Sequence, residues 1–179
     1  MLKSLDRSRD AIARRRRLNP YGRVQFRGHT LDRRTRSAFL LMERRYRRSS
    51  GNRWSKLRIG QGSYASGSLS AGTHSGGGAV DVMFAGLNPA QRAEVVRQGR
   101  RVGFAMWART GPAWGANGSN DHAHGILLGH RTASPEAKRQ MDAYRNGRDG
   151  LAANLADHSW RPKRPRRFSF FKGRPVIGK

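Results

Sequence analysis

Two stretches of this chain bring together residue types that can bind a metal ion and move a proton. Residues 70 to 81 read Ser-Ala-Gly-Thr-His-Ser-Gly-Gly-Gly-Ala-Val-Asp, which sets His74 and Asp81 seven positions apart around a glycine-rich turn. Asp121-His122-Ala123-His124 supplies the only His-x-His pair and leads into the apolar run Gly125 to Gly129. One imidazole, one carboxylate and one further imidazole give zinc three protein ligands and leave a fourth position for water, the arrangement of a catalytic site. The chemistry these residues point to is metal-assisted hydrolysis. An Asp within the apolar run Ala79 to Phe84 would be costly to bury unpaired, and ligation would remove that cost. In an extended strand His122 and His124 project to one side and Ala123 to the other, so periodicity does not choose between the two imidazoles. The bland alternative is a set of solvated loop histidines with an Asp capping a turn.

These residues need a rigid frame. Val24 and Phe26 with the turn Arg27-Gly28-His29 predict a hairpin, and Thr35 is the expected N-cap of a helix from Arg36 to Arg48, its outer face arginine-rich with Glu43 as the single acid. Strands are expected over 56 to 64, where Trp54, Leu57 and Ile59 lead into Gln61-Gly62-Ser63-Tyr64, and over 79 to 84, 102 to 107 and 123 to 129. The glycine run at 76 to 78 would allow close approach to a metal or substrate. Pro89 starts a helix that Gly99 is expected to end, and Pro135 starts another that runs to Tyr144. A weakly apolar basic helix is expected over Ser4 to Leu18. The alternation argues for a small α+β domain, an antiparallel or mixed sheet flanked by helices, with the ligands at strand ends. The expected layout is a basic arm over 1–20, the domain over 21–160 and a basic aromatic tail over 161–179.

Composition bounds the partners. The 179 residues hold 37 Lys plus Arg against 11 Asp plus Glu, a net charge of +26, and the excess lies at the ends: 19 basic and 4 acidic groups in residues 1–58, 8 and none in 161–179, but 10 and 7 between them. An anionic partner is implied, whether nucleic acid, wall polymer or membrane surface. Phe168, Phe170 and Phe171 could stack on bases or pack back onto the domain. With no cysteine, disulfides and thiolate chemistry are excluded, and any zinc must be held by imidazole and carboxylate. No apolar run approaches the roughly 20 residues that span a bilayer, and the basic N-terminus lacks the apolar segment of a secretory signal.

The stretch from Ser70 to Asp81 resembles the Ser-x-His-x-x-Gly-x-Ala-x-Asp motif of the M15-type D-alanyl-D-alanine peptidases, which share a fold with the hedgehog signalling domain. The match falls on His74, Gly77, Ala79 and Asp81, with Gly72 where the broad family has Ser. Further likeness, to small peptidases of actinobacteria and their phages, runs through Tyr21 to Val24, Thr30 to Thr35, Gln61 to Tyr64, Val102 to Trp107, the His122/His124 pair and Tyr144 to Leu151. The resemblance implies a hedgehog/DD-peptidase fold and a zinc metallopeptidase, endolysin-like, that cuts a peptide bond of peptidoglycan. It makes His74, Asp81 and His124 the zinc ligands and gives His122 a catalytic role. Asp121 stands where other members carry a Glu general base. Gly62-Ser63-Tyr64-Ala65 replaces the family's Gly-Tyr-Arg-Ser context, so Ser63 and Tyr64, with Trp107, are the expected substrate contacts. The implied enzyme is a monomer that meets peptidoglycan and anionic wall polymers, either released from the host cytoplasm through a holin or carried on a virion. A domain that keeps the fold as a polyanion-binding or virion structural module is the alternative.

Overall fold

The computed structural model describes residues 13, 17–51, 56–65 and 70–177. Most of the helix expected over Ser4 to Leu18 lies outside them, as does Trp54. The chain enters through an antiparallel hairpin of β1 (Arg23–Phe26) and β2 (His29–Asp32), turned by Arg27 and Gly28, both at positive φ. β2 runs straight into helix α1 (Arg33–Ser49). Its N-cap is therefore Asp32 and not Thr35: Asp32 Oδ1 accepts from Thr35 N at 2.8 Å and Oδ2 from Thr35 Oγ1 at 2.7 Å. The first turn of the expected helix was missed because a capping carboxylate ends the preceding strand. Nor is the charge on α1 all outward. Glu43 is buried, pairs with Arg27 at 2.7 Å and accepts from Leu57 N. Arg34 is buried too, its guanidinium spent on the carbonyls of Leu128 and Phe168.

A four-stranded antiparallel sheet follows, in the order β3 (Ile59–Gln61), β4 (Ala79–Met83), β6 (His122–Leu127), β5 (Phe104–Arg109). Alternation along the strands divides its residues between two faces. Val80, Val82, Phe104, Met106, Ala123 and Leu127 belong to the larger core, with Phe39 and Met42 of α1 and Val95 and Val102 of helix α2 (Pro89–Val102). Ala79, Ala105, Trp107, Ile126 and Leu128 belong to a second cluster with Ala137, Met141 and Tyr144 of helix α3 (Pro135–Arg145). The domain is α+β, with three helices and small antiparallel sheets among its described residues.

Helix α2 starts at Pro89 as its sequence suggests, with Asn88 and Gln91 forming a capping box on either side of that proline. It does not stop at Gly99. A Cβ there would sit 2.3 Å from Met106 Sδ, so this glycine admits the sheet against the helix, and Gly103, at φ 117°, is the actual cap. The following strand accordingly begins at Phe104.

The tail forms a hairpin, β7 (Arg166–Ser169) with β8 (Arg174–Ile177). Phe168 and Phe170 are buried in the larger core, so packing, not base stacking, occupies them, while Phe171 stays exposed. Between α3 and this hairpin the chain is held by Arg100. That guanidinium is fully buried and donates to the carbonyls of Met106, Ser159 and Trp160 and, at 2.6 Å, to Asp157.

Candidate metal centre

The register of the sheet puts the site together. Asp81 on β4 lies directly opposite His124 on β6, and His124 lies opposite Trp107 on β5. Two residues along, Met83, His122 and Arg109 form the next row on the same face. This face is the one α3 covers only in part, and a cleft of about 740 Å³ opens over the remainder.

His74 reaches the same point from the loop before β4. Its Nδ1 lies 2.7 Å from Gly62 O, and a carbonyl can only accept, so Nδ1 carries the proton and Nε2 turns a lone pair to the site. His74 Nε2 is 3.3 Å from both His124 Nδ1 and Asp81 Oδ2, and His124 Nδ1 is 2.7 Å from Asp81 Oδ1. One donor atom from each of the three residues lies within 4.8 Å of the others, and all three side chains are buried. This His-Asp-His group could hold a metal ion, since one cation shared among two ring nitrogens and a carboxylate satisfies all three. The fixing of His74 by a backbone carbonyl is the kind of outer contact that orients an imidazole ligand.

Electrostatics favours a charged carboxylate here. Burial pushes the Asp81 carboxyl up, but the imidazoles of His124 and His74 hold it well below the usual carboxylate range. Burial likewise pulls the His74 imidazole down, an effect that Asp81 and the Gly62 carbonyl more than offset. For His124 burial dominates, and its ring is held below the usual value despite Asp81. A ring that resists protonation stays available as a ligand.

The other sequence-predicted residues divide by position. His122 lines the cleft, with Nε2 3.9 Å from Asp81 Oδ2 and Nδ1 donating to Asn120 O at 2.7 Å. Asp121 is turned away from the cleft: Oδ2 accepts from Arg92 at 2.8 Å and Oδ1 from Gly111 N. Ser63 is buried, with its hydroxyl donating to Ala79 O, and Tyr64 faces Thr132 while Arg23 stacks on its ring. Neither lines the cleft. Trp107 lies behind His124, its ring 6.4 Å away and nearly parallel, and donates from Nε1 to Arg148 O. These three lie beside the site and do not line its cleft.

The glycines 76–78 do not face the cleft either. A Cβ on Gly77 would stand 2.5 Å from His130 and 2.6 Å from Thr132, and one on Gly78 2.8 Å from His130. Their smallness lets the turn close on the His130–Thr132 segment. Gly78 N also donates to Asp32 Oδ2, which lies 3.0 Å from His130 Nε2, so the cap of α1 braces the turn between His74 and Asp81.

Arg109 was not foreseen. It lines the cleft, is almost fully buried, donates to Asp149 O and lies against Trp107 and Trp114. Burial draws its guanidinium down to about 10, against the pull of Asp149, Asp81 and Asp157, so it remains charged at neutral pH. Gln61, Trp114, Asn120, Gln140 and Leu151 also line the cleft. The signal for Arg109 was present: it lies at the same alternation as Trp107 on a predicted strand, two residues beyond that strand's expected end.

The fold and the cleft therefore define a small α+β protein with a metal-competent His-Asp-His group at one face of an antiparallel sheet. No family model matches the chain, and neither does any curated protein or any solved structure.

Proposed function

We propose that this chain is a zinc-dependent peptidase of the hedgehog/DD-peptidase type, acting on a peptide bond of bacterial peptidoglycan. The observation that carries the reading is the convergence of His74, Asp81 and His124 at the floor of a cleft that also presents His122 and Arg109. Two imidazoles and one carboxylate, with no cysteine, suit zinc in a hydrolytic site. Bound there, zinc would activate water and polarise a carbonyl.

The chain's own groups would do the rest. His122, with Nδ1 committed to Asn120 O, presents Nε2 to the cleft and can hold or deliver a proton to a leaving amine. Arg109 offers a fixed positive charge for a substrate carboxylate or a developing oxyanion, the role the family's Gly-Tyr-Arg-Ser context would have filled. Asp121, held by Arg92 and Gly111, positions the loop that carries Asn120 and Trp114. A second cleft, of about 730 Å³, shares Ala71, Thr73, Gln140 and Leu151 with the first, which leaves room for a substrate that extends beyond the scissile bond.

The test is incubation of purified peptidoglycan with the zinc-loaded protein and with His74→Ala, followed by mass analysis of released fragments. New amine ends with the first protein and none with the variant are expected. Equal release by both would end the metallopeptidase reading.

A further inference from the structure

A second concave site lies away from the metal cleft and shares no lining residue with it. It encloses about 600 Å³ where Arg45 of α1, Arg101 of α2, Lys163 and Arg164 of the following segment and Arg166 of β7 converge beside Trp160. No acidic residue is among the described residues that line it. Burial, and after it the neighbouring guanidiniums of Arg101 and Arg166, lower Arg45 from the ordinary arginine value, in keeping with their place in one concavity. Five positive groups gathered in a concavity without counter-charge repel one another, and an anion relieves that repulsion. Arginine suits phosphate oxygens in particular, through its planar fork of donors.

We infer that this cleft binds successive phosphodiesters of a flexible, base-free chain of the polyol-phosphate type. Two observations choose this occupant over nucleic acid. Trp160, the one aromatic among the described residues that line the cleft, is partly exposed but already has Arg101 and Arg97 against its ring, at 5.2 and 6.0 Å, and Phe168 and Phe170 are buried, so five cations face a single engaged ring, a balance that suits a phosphate chain more than one held by base stacking. A duplex is too wide to enter a concavity of this size. The site would hold a negatively charged polymer while the metal cleft acts elsewhere on the surface, but binding here does not depend on the peptidase reading.

The test is calorimetric titration with poly(glycerol phosphate), with oligothymidylate of equal charge and with a short DNA duplex, over a series of salt concentrations. The proteins are the full chain, the metal-site variant His74→Ala, the pair Arg101→Gln/Arg166→Gln and a control pair of equal charge loss outside the cleft, Lys56→Gln/Lys138→Gln. Thermal melting checks each fold, and Arg164→Gln/Arg166→Gln, at two exposed positions, replaces the first pair if that pair fails to fold. Poly(glycerol phosphate) should bind at least as tightly as oligothymidylate. The cleft pair should weaken it about tenfold and reduce the salt slope by about 1.4, from roughly 0.7 for each of two lost phosphate contacts. The control pair should stay within about twofold of the full chain, as should His74→Ala, whose binding separates this inference from the fate of the peptidase reading. Equal losses in the cleft and control pairs would overturn the site in favour of diffuse charge. Tighter binding of oligothymidylate or duplex would overturn the base-free occupant.

Discussion

Replacing Asp81 by Asn removes the one negative charge of the metal centre while keeping the side chain's shape, and its effect can be read without any substrate. An ion that binds the folded chain alone stabilises it by RT ln(1 + [L]/Kd), about 2.7 kcal/mol when free zinc stands at 100 times Kd. For a chain of this length each kcal/mol moves the melting temperature by about 2–4 °C, so saturating zinc should raise it by about 5–11 °C. In Asp81→Asn the two imidazoles remain, but the carboxylate that lies 2.7 Å from His124 Nδ1 and 3.3 Å from His74 Nε2 is gone. The zinc-dependent rise should then fall to less than about a third, because the affinity drops below the concentration used. Melting is followed by circular dichroism from metal-free protein through a zinc titration, with chelator added back, and bound zinc is counted by elemental analysis. A wild-type protein whose melting does not respond to zinc would refute the reasoning, as would a variant that gains as much as the wild type.

Three further outcomes follow from the geometry. Arg109→Gln should lower kcat/KM for a soluble wall peptide about tenfold, the worth of about 1.4 kcal/mol of lost charge contact, while zinc stoichiometry stays unchanged; an unaltered kcat/KM would remove Arg109 from the substrate site. Phe168→Ala should destabilise the chain by about 3–5 kcal/mol in denaturant titration, since it empties a core position; a change near zero would mean that the tail hairpin is not packed. Burial opposes ionisation of Asp32, but His130 and Thr35 more than compensate and hold it below the ordinary Asp value, so its stabilisation is complete above about pH 4 and is lost as pH falls through the folded value. Asp32→Asn should flatten the acid limb of the stability curve, measured as urea midpoint against pH.

Much of this fold was legible because short-range rules act on it directly. The prolines at 89 and 135, the Arg27-Gly28 turn and the apolar strand around Asp81 all express themselves within a few residues. The errors came where a local signal had a distant cause. Gly99 looks like a helix stop but serves a contact with Met106, and Gly76 to Gly78 look like a flexible active-site loop but serve a contact with His130 and Thr132. The tail left two readings open through its composition: Phe168 and Phe170 alternate as a core-facing strand should, yet the surrounding arginines hide that period in any average over the segment.

The same division runs through the site. His122 and His124 share a face because strand geometry requires it, and Asp81 joins them because its strand pairs with theirs in the register Asp81 to His124. Asp121, next in sequence, is one step out of that alternation, so its side chain leaves on the other side of the strand's start and meets Arg92 and the Gly111 amide. A carboxylate so engaged has a structural task. It ties α2 to the loop whose Asn120 carbonyl fixes the His122 tautomer and whose Trp114 ring meets His122 edge-on at 5.2 Å. Spacing along the chain counts Asp121 as a neighbour of the His-Asp-His group; the pleat of the strand makes it the support of a neighbour instead, with His122 and not Asp121 lining the cleft.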